Sequence, residues 1–242
     1  MENTSLKKTE GKQQSEPDPG HGSEQESEPD PEFVARQLRR PSGEFAGRVA
    51  EKMNRFNRFL FDLTLEAMEI SDNHHILEIG FANGKFFNDV LTKASGLQVT
   101  GIDFSEDMVQ EAKRNNADSI KSGKLNLYLG SSDHLPFDDE SFDKVFCNNV
   151  IYFWDEPAEH VKEVHRVLKR GGAFYSGFRP GKSMRQFPFV KHGFNLYEVD
   201  EWIAILEESG FTVSGTDRKP EPPLEEGGEE IRLESVCVTA GK

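Results

Sequence analysis

The chain has 242 residues, a formal net charge of −14 and a hydrophobic fraction of 35%. The length suits one sizeable core with a small accessory element, and the acidic charge disfavours binding to a nucleic-acid backbone or to an anionic membrane surface. The two cysteines, Cys147 and Cys237, lie in apolar runs, which indicates buried thiols rather than a disulfide framework or a metal site.

Residues 1–32 are nearly free of apolar side chains, and prolines alternate in them with acidic residues. Such a segment buries too little surface to offset its ordering entropy, so we predict a disordered acidic tail. It has no apolar core typical of a signal peptide, and no run in the chain approaches the ~20 apolar residues of a membrane span. We therefore expect a cytoplasmic protein without a membrane span.

Apolar residues recur at helical spacing between Gly47 and Met68, which predicts a helix inside an N-terminal helical cap, residues 33–70. From residue 71 to 242, short β-rich runs alternate with helix-like segments, and this predicts a parallel sheet with helices on both faces. The predicted strands are 76–79, 98–102, 125–129, 142–146, 173–178, 211–215 and 235–240. The predicted helices are 85–94, 106–117, 157–168 and 198–209. Residues 217–230 are predicted to form a charged, turn-rich connection.

The first strand leads into a glycine turn, Gly80–Gly84. A dinucleotide-binding turn needs Gly-x-Gly-x-x-Gly, but Ala82 stands at its second glycine and the third position is not glycine either. A phosphate loop needs Gly-Lys followed by a hydroxyl residue, but Phe86 follows Lys85. The turn is therefore a poor match to either phosphate-binding pattern.

Acidic residues stand at or after three successive strands: Glu78, Asp103 and Asp133. The carboxyl ends of parallel strands meet at one edge of the sheet, where α/β proteins bind ligands. Glu78 would repel a phosphate, whereas an acid spaced like Asp103 suits ribose hydroxyls. The set favours a ligand with a ribose, a base and a positive charge.

Four motifs then occur in series: "ILEIGFANG", "VTGIDFSEDMV", "LYLGSSDHLPFDDESFDKVFCNNVIYFW" and "EVHRVLKRGGAFYSGF". With them the sequence resembles the class I S-adenosylmethionine-dependent methyltransferases, in particular the type 11 subgroup that includes the ubiquinone and menaquinone C-methyltransferases. The resemblance covers about residues 47–213. It implies a Rossmann-like, doubly wound, mostly parallel seven-stranded sheet with an antiparallel C-terminal hairpin, and S-adenosyl-L-methionine as the cofactor.

The resemblance also implies a cofactor-binding set at the ends of four strands. Its members are Glu78, Gly80, Phe81, Ala82 and Gly84 at the first strand, Asp103, Phe104 and Met108 at the second, Ser132, Asp133 and His134 at the third, and Asn148 and Asn149 at the fourth. Glu78 would lie near the cofactor's amino group, Asp103 would bind the ribose hydroxyls, and Asp133 would meet the adenine amino group. Ala82 and Arg170 depart from the commoner glycine and proline of the family.

On the acceptor side, the resemblance points to a pocket near the cap and the fourth strand. Candidate substrate or lid residues are Met53, Asn57, Tyr152, Trp154, Phe187 and Tyr197, with residues 179–197 as a candidate substrate lid. In-line transfer from a sulfonium mainly requires alignment, and a general base is needed only if the acceptor must lose a proton. The candidates for such a base are Tyr152, His192 and Tyr197.

We expect the acceptor to be a small molecule with an apolar part rather than a nucleic acid. A catalytically silent S-adenosylmethionine-binding module or scaffold is an alternative, and a nicotinamide-dependent oxidoreductase is a third hypothesis that the failed glycine pattern disfavours. The sequence does not determine which acceptor atom is methylated, or the oligomeric state.

Overall fold

A computed structural model describes residues 1, 30–226 and 229–242 of the protein. The predicted tail therefore lies almost wholly outside the described residues. Its last two residues instead begin the first helix, α1, which spans Pro31–Arg39. The side chain of Asp30 caps this helix and Pro31 occupies its first turn, where a missing N–H costs nothing.

The core of the fold is a seven-stranded sheet in the order β3-β2-β1-β4-β5-β9-β6. Its strands are β1 (His75–Ile79), β2 (Gln98–Asp103), β3 (Leu125–Leu129), β4 (Phe142–Asn148), β5 (Leu168–Phe178), β6 (Thr212–Pro220) and β9 (Glu234–Gly241). β1 to β5 pair in parallel, whereas β9 runs antiparallel to both β5 and β6. The predicted mostly parallel seven-stranded sheet with an antiparallel C-terminal end is thus confirmed.

Helices cover both faces of the sheet. After α1 they are α2 (Ala46–Ala67), α3 (Phe87–Leu91), α4 (Glu106–Asn115), α5 (Ala117–Lys121), α6 (Pro157–Val167), α7 (Gly181–Met184) and α8 (Val199–Glu208). One apolar core gathers around Trp202 and the β4–β5 region, and a second gathers around Phe61 and Phe87 on the side of α2. None of the helices among the described residues is both long and apolar enough to cross a membrane.

Two predicted segments differ from the structure. The helix predicted over 85–94 is shorter, because the glycine turn continues to Phe86 and α3 ends at Leu91. The connection predicted over 217–230 contains the end of β6 and a small hairpin, β7 (Leu224–Glu226) with β8 (Glu229–Ile231). Cross-strand pairing with β9 extends β6 through a charged sequence that has no apolar alternation.

The order of the strands indicates where a ligand-binding site should lie. β1 lies between β2 and β4, and the connections from β1 and β4 leave on opposite sides of it. This is the topological switch point at which open α/β sheets bind ligands, outside the carboxyl ends of the strands. The turns after β1, β2, β3 and β4 all open there.

Candidate cofactor site

A cavity of about 320 Å³ opens at this switch point. That volume lies within the ~300–1,000 Å³ typical of small-molecule sites. Thirteen of the residues singled out in the sequence line it: Met53, Asn57, Glu78, Gly80, Phe81, Ala82, Asp103, Phe104, Ser132, Asp133, Asn148, Asn149 and Trp154. The acids of three strands, which the sequence separates widely, thus reach one cavity.

The glycine turn uses left-handed backbone at three positions. The φ angles are +74° at Gly80, +50° at Ala82 and +68° at Gly84. A Cβ on Gly80 would clash with the side chain of Val150, and one on Gly84 would lie 2.9 Å from the Cβ of Ala112. Close approach and positive φ therefore both require glycine at the two ends of the turn, whereas Ala82 adopts positive φ at some cost.

Asn83 ties this turn to two helices. Its side chain is buried, accepts a hydrogen bond from Asn54 of α2 at 3.1 Å and donates one to Glu111 of α4 at 3.0 Å. Asn115 donates to the Asn83 carbonyl at 3.1 Å. These bonds hold the turn at a fixed distance from the cap helix.

Asp103 is buried at the end of β2 and is bound by backbone amides. One carboxylate oxygen accepts from the Ala82 N–H at 2.9 Å, and the other accepts from the Ser105 N–H at 2.8 Å. Burial raises the pKa of Asp103 to about 6, although these hydrogen bonds oppose the shift. A carboxylate oxygen has more than one acceptor site, so both oxygens retain capacity for ligand hydroxyls.

Glu78 is also buried, with an exposed fraction of 8%. Unlike Asp103, its carboxylate has no hydrogen-bond partner among the described residues. Burial, and secondarily the charge of Asp103, raises the pKa of Glu78 to about 8. An unpaired buried carboxylate is costly to ionise, and a cation in the cavity would remove that cost. The ammonium group of an amino-acid-like cofactor fits this position.

Two asparagines end β4 at the same cavity. Asn148 Oδ1 accepts from the Thr64 hydroxyl at 2.7 Å, while its Nδ2 is buried without a partner. Asn149 has a φ of +56°, and its Nδ2 donates to Asn57 Oδ1 of α2 at 2.9 Å. The fourth strand thus presents amide groups to the site and contacts the cap helix there.

The far side of the cavity contains a histidine that the sequence did not single out as a site residue. The His160 ring stacks on Trp154 with 4.7 Å between centroids, and its Nδ1 lies 2.8 Å from Ser132 Oγ. Burial lowers the pKa of His160, so the ring is neutral at pH 7. Its position at the start of α6, directly after the β4 loop, was the available sequence signal.

The first helix and the segment directly after it also contribute residues that were not singled out from the sequence. Leu38, Arg39 and Pro41 line the cavity. Arg39 forms an ion pair with Asp155 at 2.8 Å, and the Arg40 guanidinium lies 5.6 Å from the centre of the Phe104 ring. The segment 31–41 therefore covers the opening from above.

Seven predicted residues do not line the cavity. They are Gly84, Met108, His134, Tyr152, Phe187, His192 and Tyr197. Gly84 ends the turn on the side that faces Ala112 of α4, and Met108 is fully buried against Ala46 and Ala50. His134 and His192 are exposed to solvent.

Tyr152 and Tyr197 are unsuited to the general-base role predicted for them. Tyr152 is fully buried, its hydroxyl donates to the Arg179 carbonyl at 2.8 Å, and burial raises its pKa. Tyr197 is half-buried against Trp202, and burial raises its pKa also. The candidate lid, residues 179–197, contributes no lining residue, because it packs behind Phe153 and under α1.

Residues 77–176 match a family model described as a methyltransferase domain. A putative methyltransferase, YrhH of Bacillus subtilis, is 30% identical over 113 residues, which are 47% of this chain and 62% of the relative. The ubiquinone/menaquinone biosynthesis C-methyltransferase UbiE of Geotalea daltonii is 30% identical over 109 residues, 45% of this chain and 46% of the relative. The matches thus span about half to three fifths of these relatives.

The fold agrees with a solved structure. The putative methyltransferase in a complex with the Haloferax volcanii Trm112 methyltransferase activator superimposes with a TM-score of 0.70 at 19% identity, covering 81% of this chain and 95% of that one. Together with the family match, this confirms the resemblance. Residues 77–176 thus match a methyltransferase domain, and the chain shares the fold of the Haloferax volcanii protein.

Proposed function

We propose that this methyltransferase-family chain binds S-adenosylmethionine in the cavity and transfers its methyl group to a small-molecule acceptor. One observation carries the proposal. The unpartnered, buried carboxylate of Glu78 lies beside Asp103 in a cavity at the switch point. This pair suits a ligand that brings a cation and hydroxyl groups without phosphate.

Each part of the cofactor is assigned to a different residue. Glu78 receives the ammonium group, Asp103 receives the ribose hydroxyls, and Phe104 packs on the adenine. Ser132 and Asp133 form the wall of the adenine pocket on the β3 side, next to the Trp154–His160 stack. When bound, the cofactor supplies a methyl group already activated on a sulfonium, which departs as a neutral thioether.

The acceptor end lies between the cap helix and β4. Met53 and Phe61 of α2, together with Phe86 and Phe153, give the cavity an apolar wall. An aromatic or alkyl acceptor suits these side chains, and the quinone biosynthesis named for the Geotalea relative is in keeping with this. The proposed acceptor is therefore a small molecule with an apolar ring.

The chain's part in the reaction is alignment and exclusion of water. Neither tyrosine of the predicted base set lines the cavity, and His192 is exposed. We assign no general base. The acceptor then loses its own proton to solvent, as a phenol or an enol does, or attacks as a neutral amine. Holding the reactants in line is a sufficient contribution, because proximity supplies a large share of such barriers.

We propose the following division of the chain into domains. Residues 71–242 carry the sheet and the switch point, and residues 33–70 form a helical cap whose α2 supplies Met53 and Asn57 to the cavity. Tail residues 2–29 lie outside the described chain.

Calorimetry with S-adenosylmethionine and S-adenosylhomocysteine tests the site. We expect binding by the full chain, and a loss of at least about tenfold in Asp103→Asn, since one charge-assisted hydrogen bond is worth about 1.5–3 kcal/mol. Asp118→Asn, an exposed acid on α5, is the matched control and should bind as the wild type does. Equal affinity in the two variants would contradict the assignment of Asp103.

Transfer is tested with S-adenosylmethionine tritiated on its methyl group. The acceptors are a metabolite extract and 1,4-dihydroxynaphthalene, which carries the ring system of a demethylmenaquinone. Label in an organic product supports the proposed function. Binding without transfer to any acceptor would favour the silent binding module instead.

A further inference from the structure

A buried ion pair lies behind the cavity, between Arg179 at the end of β5 and Glu221 after β6. Arg179 is 5% exposed and Glu221 9% exposed. The Arg179 Nε donates to Glu221 Oε1 at 2.6 Å and its Nη2 donates to Oε2 at 3.0 Å, while the Ser235 hydroxyl donates to Oε1 at 2.6 Å. The desolvation of such a pair offsets much of its attraction, so its presence favours a role in positioning over one in stability.

The side chain of Arg179 reaches from this pair to the cap helix. Its Nη2 donates to the Phe56 carbonyl at 2.5 Å and its Nη1 donates to Asn57 Oδ1 at 3.4 Å. The same Oδ1 accepts from Asn149 Nδ2 at 2.9 Å. With its oxygen held by two donors, Asn57 has only its Nδ2 left to offer to the cavity that it lines.

The backbone of Arg179 reaches the same asparagines by a second route. Its N–H donates to the Tyr152 hydroxyl at 2.6 Å, and its carbonyl accepts from that hydroxyl at 2.8 Å. The hydroxyl lies 3.2 Å from Asn149 Oδ1. The hydroxyl has a single proton and the Arg179 carbonyl is its nearer acceptor, so the main hydrogen bond that holds Asn149 is the one from its Nδ2 to Asn57 Oδ1, the atom that Arg179 also contacts.

We infer that Arg179 and Glu221 are positioning residues for the acceptor end of the cavity. They fix the amide orientations of Asn57 and Asn149, so that Nδ2 of Asn57 donates a hydrogen bond to an oxygen of the methyl acceptor. This inference rests on the proposed function for the identity of the ligand. The contacts themselves tie the antiparallel extension, β6 and β9, to the cap helix over the site.

The decisive variant replaces the pair by apolar side chains, Arg179→Met with Glu221→Leu. The matched control is a more exposed ion pair between β6 and β9, Arg218 with Glu234, changed to Met and Leu. Because an apolar pair of similar size can replace a buried ion pair, we expect both doubles to melt close to the wild type. Both should bind S-adenosylhomocysteine within about threefold of it, since distant sites act independently.

The positioning readout is the side-chain amide spectrum of protein labelled with ¹⁵N-asparagine. The Nδ2 signals of Asn57 and Asn149, assigned by single substitution, should shift in the Arg179/Glu221 double and stay in place in the control. Arg179→Lys retains the charge but lacks the planar fork, so the Asn57 signal should shift there also. With 1,4-dihydroxynaphthalene as the methyl acceptor, the Arg179/Glu221 double should lose about tenfold in kcat/KM, the value of one hydrogen bond.

Two results overturn the inference. One is a folded Arg179/Glu221 double in which both amide signals keep their wild-type positions. The other is a double that loses melting temperature and S-adenosylhomocysteine affinity together, which makes the pair a stability element. Failure of the wild type itself to bind S-adenosylhomocysteine or to label an acceptor refutes the proposed function instead, and the amide spectrum still decides the positioning role.

Discussion

Glu78→Gln should raise the stability of the ligand-free protein and lower its affinity for the cofactor. The folded protein holds the Glu78 proton up to a pKa of about 8, whereas the ordinary value is 4.5. The folded state therefore binds more protons than the unfolded chain between these values. Stability from this group is complete below about pH 4.5 and is lost as the pH rises towards about 8.

The magnitude follows from the shift. At pH 7 the unfolded chain gains from ionising Glu78 while the folded chain does not, which is a difference of about 3 kcal/mol at 1.36 kcal/mol per pKa unit. Glutamine has the same shape and no such difference. Since 1 kcal/mol moves the melting temperature of a domain of this size by ~2–4 °C, the variant should melt up to about 6–12 °C higher at pH 7.

The assay is a series of thermal melts from pH 5 to pH 8 without ligand. The gap between Glu78→Gln and wild type should be small at pH 5 and widen with pH. Glu69→Gln, at an exposed residue just after α2, is the control and should show no such trend. A gap of constant size across this range would refute the argument, because it would mean that the Glu78 proton is not linked to folding.

Ligand binding should stabilise the wild type more than the variant. S-adenosylhomocysteine keeps the ammonium group, so its binding favours ionised Glu78 and should raise the melting temperature of wild type more than that of the variant. Wild-type affinity should increase with pH below about 8, since binding then releases the proton. The variant should lose this pH dependence.

Two substitutions in the glycine turn should have opposite effects. Ala82→Gly relieves a φ of +50° and should stabilise the protein by about 0.5 kcal/mol, the left-handed penalty less the extra freedom of unfolded glycine; calorimetric melting checks it, and a destabilised variant would contradict it. Gly80→Ala places a Cβ against Val150 at a φ of +74° and should cost about 1–3 kcal/mol together with S-adenosylhomocysteine affinity. The double Gly80→Ala/Val150→Ala should recover only the packing part, and wild-type stability in the single variant would show that the turn can shift.

The parts of the site that the sequence predicted are local. Each acid and each glycine of the turn lies within a few residues of a strand end, and parallel pairing brings those ends together without further information. The turn and the acids Glu78, Asp103 and Asp133 could therefore be placed on one cavity from the pattern alone. The sequence also shows that Ala82 replaces the glycine common in the family, although it does not show that Ala82 has a positive φ.

The parts that the sequence did not predict depend on contacts between distant segments. Arg39 meets Asp155 across 116 residues of chain, and Arg179 meets Phe56 across 123. The spacing of apolar residues along the sequence carries no information about contacts between such distant residues. Their position after β5 makes residues 179–197 the predicted lid, but in the structure residues of α1 line the opening. Asp30 and Pro31 start this helix inside a segment whose composition is typical of a disordered tail.

The glycine turn shows why this edge of the sheet does not suit a phosphate. A phosphate loop works by pointing free backbone N–H groups at the ligand. Here the Gly80 N–H donates to the Ile102 carbonyl, the Ala82 N–H to Asp103, and the Gly84 N–H to the Phe81 carbonyl. Three of the five N–H groups of the turn are thus occupied, and a carboxylate, Glu78, lies two residues before it, so a phosphate would meet repulsion and few free donors. The same occupation holds Asp103 rigid, which is what a ligand with ribose hydroxyls requires.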